Sequence, residues 1–203
     1  MWVAFSAGTR QAFSELESGS ERVIGVVSGG IIDSLLTDAI KDELKLDSSE
    51  HARKVQNDFF QPDGAVGAFG AKIMLAYLLG YFTPEAYDDL MKFKYIRNQF
   101  AHYSQFNSFD IQHIKDRCEK FKLIDKRIRP PAATVTYMAS GKTVPLDSYS
   151  TGPDGFYLNV VNYEESLKTP KGRFVATAKL FCAALELYLT PQLPDLARHK
   201  PVL

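Results

Sequence analysis

The densest run of apolar positions lies in residues 20–44, SERVIGVVSGGIIDSLLTDAIKDEL. At about 100° per residue these positions cover nearly the whole circumference, which predicts a helix buried on most of its sides. Ser20 is a suitable N-cap for it. The small residues Ser28, Gly29 and Gly30 lower helix propensity, but they let another backbone approach closely, so we expect tight helix packing there. A strand ending at Gly29 is the alternative, but the helical spacing continues beyond it.

Further helices are predicted from amphipathic spacing and from start and stop signals. Thr83 and Pro84 begin one helix as its cap and first-turn proline, and Gly80 ends the helix before it. Pro170 begins the last helix, and Pro191 stops it. Apart from the helix in residues 20–44 and the last helix, the predicted helices cover residues 9–18, 49–60, 68–79, 83–102 and 108–124.

Two stretches near the C-terminal third of the chain alternate and are rich in β-branched and aromatic residues. Residues 133–138, ATVTYM, and residues 156–161 therefore predict two antiparallel strands joined by a turn-rich segment. The predicted fold class is all-α, a multi-helical bundle with a small β-hairpin insertion before the last helix. We expect a single helical domain over residues 1–203, with a β-containing insertion at 127–168.

The charge balance limits the classes of partner. Lysine plus arginine number 24 and aspartate plus glutamate number 24, so the net charge is zero. No global positive field therefore favours nucleic-acid binding, and only a local patch can supply one.

Cysteine and histidine usage limits the chemistry. Cys118 and Cys182 do not make a disulfide framework, which favours a reducing, cytoplasmic compartment. The first residues lack a signal-peptide pattern, and we expect no apolar segment long enough to span a membrane. No histidine has ligand partners at metal-site spacing, so we predict neither a metal nor a cofactor.

The stretch RNQFAH, residues 97–102, carries the candidate chemistry. RNA is cleaved when its own 2′-hydroxyl attacks the adjacent phosphate, and His102 can move the proton because histidine titrates near neutrality. Arg97 can bind the phosphate through two hydrogen bonds, and Asn98 can orient the histidine or bind a phosphate oxygen. On a straight helix Arg97 and His102 lie about 140° apart, so they meet only if the helix ends near Ala101 or a second subunit supplies a copy.

The same residues also have a structural interpretation. Arg97 lies at the edge of the apolar stripe of its helix, and Asp33 lies within the most apolar helix. Since an unpaired charge is costly at either place, we predict an ion pair between Asp33 and Arg97. His102 would then bond backbone carbonyls at the C-terminus of its helix. We favour this interpretation over catalysis.

One local excess of basic residues follows the motif, in residues 115–129. Lys115, Lys120, Lys122 and Arg127 are the candidates for contacts with a phosphate backbone. The alternative, which we favour, is a solvated face of a helix and loop.

The chain contains, in this order, the segments ESGSERVIGVVSGGIIDSLLTDAI, FFQPDGAVGAFGAKIMLAYLLGYFTPEAYDDL and KFKYIRNQFAH. In order and spacing these resemble the mannitol operon repressor family of bacterial regulators, over roughly residues 15–120. The resemblance implies an all-helical bundle without a DNA-reading module, which acts through protein partners. Residues 127–168 depart from the family pattern.

The third of these segments also resembles the HEPN superfamily of helical domains. Its signature is an arginine, a polar residue and a histidine, which Arg97, Asn98 and His102 match. Many members of that superfamily are metal-independent ribonucleases that act as dimers, and others are binding modules.

Two functions therefore compete. The first is a regulatory protein that acts through contacts with an unidentified protein partner, as a homodimer and without its own DNA-reading motif. The second is a metal-independent endoribonuclease of a toxin or defence system, with Arg97, Asn98 and His102 acting on RNA. Direct DNA binding through residues 115–129 is a third interpretation, which the zero net charge disfavours. No membrane partner is expected.

Overall fold

The computed structural model describes residues 2–3, 7–44, 49–103, 108–132, 134–146, 148–152, 155–189 and 203. Within these ranges the chain forms nine helices: α1 (Ala7–Glu17), α2 (Glu21–Leu44), α3 (Glu50–Phe60), α4 (Phe69–Leu78), α5 (Pro84–His102), α6 (Gln112–Glu119), α7 (Leu123–Arg127), α8 (Tyr163–Lys168) and α9 (Pro170–Leu189). The strands are β1 (Trp2–Val3), β2 (Ile128–Arg129), β3 (Thr134–Thr136), β4 (Thr143–Pro145), β5 (Ser148–Gly152) and β6 (Gly155–Asn159). The prediction of a mainly helical protein is confirmed.

α2 is the central helix of the bundle. It packs against α1, α4, α5 and α9, and Ile32 and Leu36 are fully buried in the core. The close approach predicted at Ser28, Gly29 and Gly30 is confirmed at Gly29, where an added Cβ would lie 2.5 Å from Cγ of Arg97 on α5, and not at Gly30, where it would meet no atom within 4 Å. Burial on most sides is confirmed only in part, because one side of α2, which includes Val23, is exposed.

The expectation about membrane-spanning length is wrong for this helix. By length and composition alone, α2 is apolar enough to cross a membrane. In the fold it packs against four other helices instead. A helix at the centre of a bundle can therefore meet the same criteria of length and composition as a membrane-spanning helix.

The predicted C-terminal end of α4 and the predicted start of α5 are confirmed. Gly80 follows α4 with a φ of 82°, a left-handed conformation that glycine adopts without strain. Thr83 caps α5, since its Oγ1 accepts a hydrogen bond of 3.2 Å from the backbone N–H of Ala86. Pro84 occupies the first turn, where no helical hydrogen bond needs its missing N–H.

α9 closes the bundle. Its residues Phe174, Phe181 and Leu185 are fully buried. The ring of Phe174 stacks on Phe93 of α5, with 4.2 Å between the ring centres. This contact joins the last helix to the helix that carries RNQFAH.

The single helix predicted over residues 108–124 is wrong, because the chain forms α6 and α7 instead. The cause is a tertiary contact. Asp89 on α5 accepts hydrogen bonds of 2.8 Å and 2.9 Å from the backbone N–H groups of Lys122 and Leu123. This carboxylate supplies the N-terminal cap of α7 and so begins a new helix there.

The predicted hairpin between residues 133–138 and 156–161 is also wrong. β3 pairs with β4 in a separate two-stranded sheet, whereas β6 pairs antiparallel with β5 and parallel with β2. The four-stranded sheet has the order β1-β5-β6-β2. The segment taken as a turn contains two strands of its own, so each predicted strand pairs with its nearest neighbour in sequence. Phe156 and Leu158 of β6 join the core of the helices.

Candidate functional site

The RNQFAH motif occupies the last turns of α5. The helix runs through His102, and the backbone N–H of Tyr103 still donates to the carbonyl of Gln99. Arg97 and His102 therefore keep the angular separation of about 140° that a continuous helix imposes. A single chain does not bring these two side chains together.

Arg97 is half-buried and is used mainly in packing. Its stem crosses α2 at Gly29, where an added Cβ would lie 2.5 Å from Cγ of Arg97. At its tip, Nη1 donates a hydrogen bond of 3.1 Å to Oδ1 of Asn98. Its Nε is buried without a hydrogen-bond partner among the residues that the structure describes. Arg97 thus fills the crossing of α2 and α5, with its charge at the edge of the core.

The predicted ion pair between Asp33 and Arg97 is wrong. Oδ1 of Asp33 lies 2.9 Å from Nζ of Lys72, the only charged residue of α4. The side chain of Lys72 is almost fully buried. Leaving its ammonium group unpaired would therefore cost more free energy than leaving the half-buried guanidinium of Arg97 unpaired. The costly acid in α2 is therefore neutralised by a lysine from α4.

The structural role predicted for His102 is also wrong. The side chain of His102 is exposed, and no described residue forms a hydrogen bond with it. The carbonyl of Ala101, near the C-terminus of α5, instead accepts a hydrogen bond of 3.4 Å from Nη2 of Arg22. His102 is thus accessible from solvent and is not required for the end of this helix.

The basic residues of the segment 115–129 differ in exposure and in their contacts. Among its candidates Lys120 and Lys122 are exposed and Lys115 is half-buried. The guanidinium of Arg127 lies 5.5 Å from the ring centre of Tyr157.

Three further basic residues of this segment also have partners within the chain. The guanidinium groups of Arg117 and Arg129 stack on aromatic rings, at 3.6 Å and 3.2 Å from the ring centres of Tyr95 and Tyr157. Nζ of Lys126 lies 2.9 Å from a carboxylate oxygen of Glu85. Four of the seven basic residues of this segment thus contact an aromatic ring or a carboxylate of the same chain.

Asp89 is a fully buried acid that the sequence interpretation missed. Besides the two backbone N–H groups at the start of α7, it binds Nζ of Lys92 at 2.9 Å. The sequence does contain a signal of this burial, because Asp89 lies next to Leu90, which belongs to the apolar stripe of α5. Because all of its partners lie within the chain, its role is structural.

Arg173 is the second residue that the sequence interpretation missed. It is buried at the start of α9, where Nε donates to the carbonyl of Cys118 at 3.0 Å and Nη2 donates to that of Phe121 at 2.7 Å. The two terminal nitrogens also contact both oxygens of Asp125, at 2.9 Å and 3.1 Å. This guanidinium holds α9 against the end of α6.

The two cysteines are not activated nucleophiles. Both are buried and free. Burial raises the pKa of the Cys118 thiol to about 12 and raises that of Cys182 well above its ordinary value. Since the thiolate is the reactive form, neither residue is suited to covalent catalysis.

Exposed apolar side chains lie on two helices that pack against each other. On α4, Leu78 is 79% exposed and Met74 is 49% exposed. On α2, Val23 and Val27 are 45% and 42% exposed, and an added Cβ at Gly30 would meet no atom within 4 Å. We call these five residues the α2–α4 surface.

A comparison of the chain with protein-family models, with curated proteins and with solved structures finds no match. The resemblance to the mannitol operon repressor family, and that of RNQFAH to the HEPN superfamily, therefore stay predictions from the residues themselves.

Proposed function

We propose that this chain is a regulatory protein that acts through protein–protein contacts and forms a homodimer across the α2–α4 surface. The observation that supports this most is the exposure of four large apolar side chains on two neighbouring helices, with Leu78 exposed the most. Single exposed apolar residues are ordinary, but a group of them is typical of an interaction site.

The spacing on α2 favours another helix as the occupant. Val23, Val27, Gly30 and Ser34 are all exposed and follow one another at intervals of four, three and four residues. This is the spacing of a seam that packs against a second helix. The small residues in its second half let the two backbones come close. A second copy of α2 supplies the same seam, as a two-fold symmetric contact requires.

The charge pattern supports the same occupant. The one charged residue of α4, Lys72, is directed inward and is paired with Asp33. The outer side of α4, with Met74 and Leu78, therefore carries no charged side chain that a second copy would have to desolvate.

The ribonuclease function is the competing proposal, and the geometry supports it less. Arg97 and His102 do not converge within one chain, and Arg97 is committed to the crossing at Gly29. Catalysis would need His102 of a second copy to reach the guanidinium of Arg97.

Cross-linking through introduced cysteines tests the proposed homodimer. Because Cys118 and Cys182 are buried, only a new surface cysteine reacts with a short bismaleimide. We expect Val27→Cys and Leu78→Cys to give covalent dimers. Val55→Cys, at an exposed valine on α3, is the matched control and should stay monomeric on a denaturing gel. If neither surface variant cross-links more than the control, the proposed contact is wrong.

A further inference from the structure

We draw no further inference here: the strongest candidate, the groove between α1 and the hairpin of β3 and β4, is an apolar face lined by Phe13, Val135 and Tyr137, and nothing in the described part of the chain shows what covers it.

Discussion

Gly29 on α2 lies directly beneath the stem of Arg97 on α5, so close that an added Cβ would be 2.5 Å from Cγ of Arg97. The neighbouring glycine, Gly30, faces open space instead. The first residue of RNQFAH is thus built into a helix crossing that only a glycine permits. This explains Gly29 and gives Arg97 a structural use that does not depend on chemistry.

The two glycines predict opposite effects of the same substitution. Gly29→Ala should destabilise the protein by about 1–3 kcal/mol, because the methyl group forces α2 and α5 apart. Gly30→Ala is the matched control and, measured at a concentration below that at which the chain dimerises, should stabilise the single chain by up to about 1 kcal/mol, since alanine is the better helix former. Urea unfolding of both variants measures the difference. Equal effects would show that the crossing is not tight.

Arg173 predicts a large loss of stability on truncation. Arg173→Met leaves the carbonyl of Phe121 without its donor, at a cost of about 1–3 kcal/mol, and removes one of the two donors to the carbonyl of Cys118. The exposed ion pair of Lys168 with Glu164 provides the control, and Lys168→Met should change the free energy of unfolding by less than about 1 kcal/mol. Similar melting temperatures for the two variants would contradict the role of Arg173.

The raised pKa values of a buried thiol and a buried phenol predict that the protein loses stability at alkaline pH. Burial raises the pKa of both the Cys118 thiol and the Tyr149 phenol to about 12, from ordinary values of 9.0 and 10.0. The unfolded chain releases these protons at lower pH than the folded chain does. The stabilisation is therefore complete below about pH 9 and is lost as the pH rises from about 9 to 12.

Unfolding in urea at pH 7 and pH 10 checks this pH dependence. The free energy of unfolding should fall between the two values, and the fall should be smaller in Cys118→Ala, which lacks one of the titrating groups. An equal fall in the variant and in the wild type would exclude a contribution from Cys118.

The helices could be predicted from the sequence because each has local signals. Thr83 and Pro84 mark a start and Gly80 marks an end, and the structure has both boundaries there. The break between α6 and α7 has no such local signal, because its cause is a carboxylate on a different helix. Asp89 reaches the backbone of Lys122 from 33 residues away in sequence.

The candidate site was predictable only as a set of residue types. The pattern showed that Asp33 needs a cation, but it did not show which of two neighbouring helices supplies it. Lys72 lies on α4, and the packing of α4 beside α2 is a property of the whole bundle. The strands were misjudged for a related reason, since alternation identifies a strand but not its partner.

An RNA cleavage assay tests the competing ribonuclease function. We expect equal background cleavage of a mixed-sequence single-stranded RNA in EDTA by the wild type, His102→Ala and Arg97→Lys. Because His102 is exposed, His102→Ala should also leave the free energy of unfolding within about 0.5 kcal/mol of the wild type. Cleavage that is lost in both variants, and that leaves cyclic or 3′-phosphate ends, would establish the enzyme instead.

The mass of the native particle, measured by light scattering during size-exclusion chromatography, tests the proposed homodimer most directly. The chain has a mass of 22.8 kDa, and we predict a particle of twice that mass. Leu78→Glu should shift the particle to the mass of one chain, because a carboxylate would be buried without a partner in the contact. Val55→Glu on α3 should leave the dimer unchanged. A wild-type particle of 22.8 kDa at every concentration, or a dimer that Leu78→Glu does not weaken, would contradict a homodimer formed across the α2–α4 surface.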